Sequence, residues 1–164
     1  MLAVEIAVFY TIAAAVLCWG LAEALKSRAL WTAGAMLALI HSAAAFAWFY
    51  GGSHETARLE TMRQTAALTG LAFSGGIYFN YLFLIVWLGD AAWWWLAPRA
   101  YRSRPRAVSL VVRGFIFFIV VNGAVVFADG WARVVGVAAV LVAAAGLRSD
   151  TGPTFVPKPA KSVH

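Results

Sequence analysis

The sequence predicts an all-α protein, a polytopic bundle of five membrane-crossing helices (four being the alternative count), with a short amphipathic interfacial helix between spans two and three. Three observations predict it. Of 164 residues, 63% are hydrophobic and 12% charged. A soluble domain runs about half apolar and about a quarter charged, and a soluble chain this short has too little interior to hide the difference. The apolar residues also fall in runs of about 20, the length that crosses the hydrocarbon of a bilayer. Finally, bases and aromatic residues gather at the ends of those runs, as they do at headgroup depth.

The first run, Leu2–Leu25, is long enough to span. It lacks the basic start of a signal peptide, since Glu5 is the first charge and Lys26 and Arg28 follow the run. The second, Ala29–Tyr50, ends in Trp48, Phe49 and Tyr50 before Gly51 and Gly52 stop it. The segment 53–69 differs in character. Ser53 is a good N-cap and Glu55 sits in the first turn, where the helix dipole favours it. Glu55–Arg58 and Glu60–Arg63 have the spacing of side chains that meet on a helix surface. Leu59, Met62 and Ala66 share one side, with Thr56, Glu60 and Arg63 on another. This is the amphipathic helix, ended by Gly70. Gly75 and Gly76 then return the chain to the membrane.

The third span covers 77–97, anchored by Trp93, Trp94 and Trp95 and closed by Pro98. An arginine-rich loop, 99–106, leads to the fourth, 108–128. Asp129 and Gly130 make a tight turn into the fifth, 131–147, near the lower length limit for a span. Residues 1–148 therefore form one domain. The tail 149–164, with Gly152, Pro153, Pro157 and Pro159, has too little apolar periodicity to fold alone and is read as a disordered cytoplasmic segment.

Five spans with the N-terminus outside put ten bases in the cytoplasm: Lys26, Arg28, Arg99, Arg102, Arg104, Arg106, Arg113, Arg148, Lys158 and Lys161. Arg58, Arg63 and Arg133 are left outside. Dropping the fifth span would even the split, so the positive-inside rule favours five and a cell-membrane location with the C-terminus cytoplasmic. The same placement explains the formal charge of +6 without nucleic acid, because no basic, aromatic-laced surface remains outside lipid.

Ionisable groups at membrane depth are costly and need partners. Asp90 and Arg113 enter from the same side at about the same depth, which makes them a candidate intramembrane ion pair joining spans three and four. His41, in the middle of the second span, has Asn80 or Asn122 as possible hydrogen-bond partners. With His54, Glu55, Glu60 and Arg63 these form a candidate polar cluster on the outer side. The last span aligns Ala132, Gly136, Ala139, Ala143 and Gly146, a small-residue face fit for close packing by a helix of this chain or of a partner.

Chemical motifs are few. His54–Glu55 opens like the zinc-hydrolase helix His-Glu-x-x-His, but Arg58 stands where the second ligand belongs. There is no nucleophile elbow, P-loop or dinucleotide fingerprint. Two-histidine haem ligation would need His41 and His54, which Gly51 and Gly52 separate. The single cysteine, Cys18, excludes an internal disulfide. No cofactor and no metal are predicted. The expected partners are the bilayer and other membrane subunits or further copies of the chain. The expected function is that of a non-catalytic accessory, assembly or interaction subunit. The alternative is a binder or enzyme acting on an apolar ligand, a lipid or quinone, through the outer polar cluster.

Overall fold

The computed structural model describes the backbone of residues 2–149 and the side chains of residues 6–146. The described chain is helical and has no strand: α1 (Leu2–Leu25), α2 (Arg28–Trp48), α3 (His54–Thr69), α4 (Gly76–Leu96), α5 (Pro98–Ser103), α6 (Arg106–Val121, continued by a π turn, Asn122–Val126) and α7 (Gly130–Ser149). The all-α bundle is as predicted. Four of its stretches, Ile6–Leu25, Arg28–Trp48, Gly76–Leu96 and Arg106–Val126, are long and apolar enough to cross a membrane, which points to a membrane location. The apolar part of α7, Gly130–Gly146, is shorter. The expected tail lies, but for Ser149, outside the described residues.

Local chemistry sets the helix ends. Ser27 and Ser53 cap α2 and α3, their hydroxyls accepting from the amides of Leu30 and Thr56. Gly70 closes α3 in the left-handed conformation at φ 74°, a shape that costs glycine little. The sequence predicts a loop over 99–106, but the chain forms a short helix first. Pro98 occupies the first turn of α5, where its missing N–H is no loss.

The long helices close a ring. α1 lies between α2 and α7; α2 packs on α4, α4 on α6, and α6 with its π turn on α7. Wide and narrow side chains fill the centre by turns. Trp19, Trp31, Trp87 and Ile116 are buried among Ala15, Ala35, Ala38, Ala91, Ala139 and Ala143. Trp87 reaches α2 because residue 34 is glycine: a Cβ there would stand 2.8 Å from the indole. Gly20 of α1 lets the backbone of α7 approach equally closely, since a Cβ would lie 2.6 Å from the Ala139 carbonyl oxygen. Gly136, Ala139, Ala143 and Gly146 are all buried, and Gly136 abuts Ala124 while Gly146 abuts Ala24. The small-residue face of α7 thus finds its helix within this chain.

α3 leans on α4. The edge it presents to α4 is not the Leu59–Met62–Ala66 side. Ala57 is fully buried and the Thr61 methyl sits against Gly76, whereas Leu59 is exposed. Small residues win that edge because α4 begins with glycine and lets α3 come close.

Candidate functional site

The densest polar grouping lies at one end of the bundle, where α1 and α4 finish, α5 folds back and α6 begins. Asp90 stands near the end of α4 and is 5% exposed. Its Oδ2 accepts from the Tyr101 hydroxyl at 2.9 Å, and its Oδ1 forms an ion pair with the Arg104 guanidinium. The Arg104 Nε donates to the Ser109 hydroxyl at 2.8 Å. The Tyr101 ring stacks on Trp94 with centroids 4.7 Å apart and planes 5° apart. The Arg104 guanidinium carbon lies 3.8 Å from the centroid of the same tyrosine ring, within cation–π reach. Burial, and then the Asp90 charge, push the Tyr101 hydroxyl up to about 12: ionising it would place a second anion beside the carboxylate.

The predicted Asp90–Arg113 pair does not form. Arg113 instead meets Glu23 of α1, Nη1 to Oε2, at 3.3 Å. The reason lies in α5. Its fold-back delivers Tyr101 and Arg104 to Asp90, while Arg113 occupies the side of α6 that faces α1. Each described acid at this end therefore holds a different arginine. One pair ties α4 to the segment after α5, and the other ties α1 to α6.

Three further arginines of this segment, Arg99, Arg102 and Arg106, are exposed. Among the described residues no carboxylate lies within ion-pair distance of them. Arg28 lies over the Trp95 ring, 3.6 Å from its centroid, and the Trp95 indole N–H donates to the Thr32 hydroxyl at 2.9 Å. With Lys26, this end carries seven bases against Glu23 and Asp90, a net of +5 among the described side chains.

The described side chains of the opposite end balance their charges. Glu55 accepts two hydrogen bonds from Arg58, at 2.9 and 2.7 Å, and Arg58 also donates to Ser74. The hydrogen bonds from Arg58 hold the Glu55 carboxyl below its usual range. Glu60 stands 3.6 Å from Arg63, and Arg133 pairs with Asp129. Among the described side chains, three acids meet three bases.

The predicted outer cluster does not assemble as one site. His41 hydrogen-bonds through Nδ1 with the Val8 carbonyl of α1 at 2.9 Å, not with Asn80 or Asn122. Asn122 donates to the Phe118 carbonyl of its own helix, and Asn80 is exposed on α4. His54 finds a partner the sequence did not suggest, the Tyr81 hydroxyl at 2.9 Å, with the Tyr78 ring 5.8 Å away. Glu55, Glu60 and Arg63 stay in local pairs along α3.

Sequence reasoning also missed Arg104 and Tyr101. Their signal was a lone tyrosine among four arginines just beyond Pro98, a segment too apolar at one position to be purely solvated. Between α1, the π turn and α7 lies a cleft of about 60 Å³ lined by apolar residues, among them Phe9, Ile12, Val16, Ala124 and Gly136. Among the described residues no three His, Cys, Asp or Glu side chains group to hold a metal. No protein-family model, curated protein or solved structure matches the chain.

Proposed function

We propose that this chain is a multi-pass membrane protein acting without catalysis, as an accessory, assembly or interaction subunit. The carrying observation is the use made of the polar groups inside the bundle. Asp90, Glu23 and His41 each hold two helical segments together, and the centre is filled by side chains. Such groups stabilise a shape and have little left with which to act on a substrate. Purification in mild detergent with cross-linking should recover a stoichiometric partner or a defined oligomer. A monomer with turnover on an added substrate would overturn the reading.

The proposal includes five spans, an outside N-terminus and a cytoplasmic C-terminus in the cell membrane. Among the described side chains, the net of +5 at the α5 end against balance at the other supports that sidedness. Support for the fifth span comes from α7 running alongside α1, from Phe9–Trp131 at one end to Ala24–Gly146 at the other. Labelling cysteines placed at positions 53 and 103 in intact cells should modify the first alone; the converse would overturn the orientation.

A second reading rests on the exposed His54–Tyr81–Tyr78 group. In it, an apolar ligand with a polar head, a lipid or quinone, binds on the α3 side. His54→Ala and Tyr81→Phe would then weaken ligand binding with thermal stability unchanged, and unaltered binding would remove it.

A further inference from the structure

The arginines around α5 are sorted. Arg104 turns inward and is neutralised by Asp90. Arg99, Arg102 and Arg106 turn outward with no carboxylate in reach among the described residues. Both described acids at this end are buried within the bundle, Glu23 facing Arg113 and Asp90 facing Arg104 and Tyr101, so neither adds negative charge to its surface. Arg28 extends the basic surface, its guanidinium placed over the Trp95 ring. Trp95 belongs to the Trp93–Trp95 belt, the kind of residue that settles at headgroup depth.

We infer that this surface binds the phosphates of anionic phospholipid headgroups. Three considerations select that occupant. The arginines flank the ends of long apolar helices, so lipid phosphates lie at their level on whichever side of the membrane this end faces. A guanidinium presents a planar fork that grips phosphate oxygens in pairs. The described acids at this end, finally, are sealed inside. The buried Asp90–Arg104–Tyr101 lock has a part here as well: by fixing α5 against α4, it holds the outward arginines at the level of the tryptophan belt. The inference is independent of the proposed accessory role.

The test uses the full-length protein in detergent micelles with phosphatidylglycerol or phosphatidylcholine added, and native mass spectrometry counts retained lipid. The wild type should retain phosphatidylglycerol about tenfold over phosphatidylcholine, given the attraction of several arginines to an anionic headgroup. Raising ionic strength to several hundred millimolar should reduce the preference. R99Q/R102Q/R106Q should abolish it, whereas R58Q/R63Q, at the other end, should leave it intact. Single R102Q should give an intermediate preference, a readout that holds if the triple variant folds poorly. Inorganic phosphate should not displace the lipid at equal concentration, which separates a headgroup site from a free-phosphate site. The inference is overturned if the wild type shows no preference, if both multiple variants lose it equally, or if soluble polyglutamate displaces the lipid. That last outcome would assign the surface to an acidic protein partner.

Discussion

Tyr101 donates its hydroxyl to Asp90 across 2.9 Å, so a residue beyond the proline that ends one long helix neutralises part of the charge buried inside that same helix. Arg104 completes the arrangement from the other carboxylate oxygen. A six-residue helix is thereby clamped to the bundle by groups that would each be costly to bury alone.

Breaking the clamp from either side should be expensive. Asp90→Ala leaves the Arg104 guanidinium uncompensated, and Arg104→Ala does the same to the carboxylate. Each should destabilise the protein by about 3–5 kcal/mol. The double variant Asp90→Leu/Arg104→Met should recover most of that loss, because no buried charge remains. Thermal unfolding in detergent, compared across the three variants, checks the cycle.

Alkaline stability should report Tyr101. Its folded-state value is raised above the ordinary 10 to about 12, so the folded protein holds the proton more tightly than the unfolded chain. The associated stability is fully present below pH 10 and is lost as pH rises from 10 towards 12. Melting temperatures over that window should fall more steeply for the wild type than for Tyr101→Phe. A tyrosine-ionisation titration by absorbance should show one group titrating late, absent from the variant.

The contact of α1 with α7 should be intolerant of bulk. Gly20→Val adds atoms where a first carbon would already stand 2.6 Å from the Ala139 carbonyl oxygen. Backbone cannot rotate aside as a side chain can, so a loss of about 1–3 kcal/mol is expected. Gly89→Ala, where a Cβ meets nothing within 4 Å, should be close to neutral in the same melting assay.

On α3, Arg58→Ala should loosen the helix more than Glu55→Ala. Arg58 loses both the carboxylate and its bond to Ser74, the link from α3 to the segment before α4. Hydrogen exchange of the α3 amides should rise more in the arginine variant. Because Arg58 holds the Glu55 carboxyl below its usual range, the pair's contribution is present above the ordinary carboxylate value. It is lost only as pH falls through the lowered one. Exchange should therefore change little between pH 7 and 5.

The fold class was legible because lipid-facing helices need long apolar runs, and Ser53 and Gly70 mark the ends of α3 as their chemistry requires. The partners of the buried charges were not. Depth along a helix suggested Arg113 for Asp90, but depth says nothing of which side of α6 a residue occupies. Nor does it reveal that a segment after proline folds back as α5. His41 illustrates the same gap: its hydrogen bond goes to a backbone carbonyl of α1, and every residue has such a carbonyl, so no pattern of side chains could point to Val8. The small-residue face of α7 was visible as a pattern, yet its occupant depended on how the ring closes.

That ring joins α1 to α7. During synthesis, α1 exists long before α7, and the groove that Gly20 opens for Ala139 has no α7 to fill it meanwhile. The first helix therefore waits for the last, and a ribosome stalled before residue 130 would leave a bundle with an open seam, a substrate for quality-control proteases.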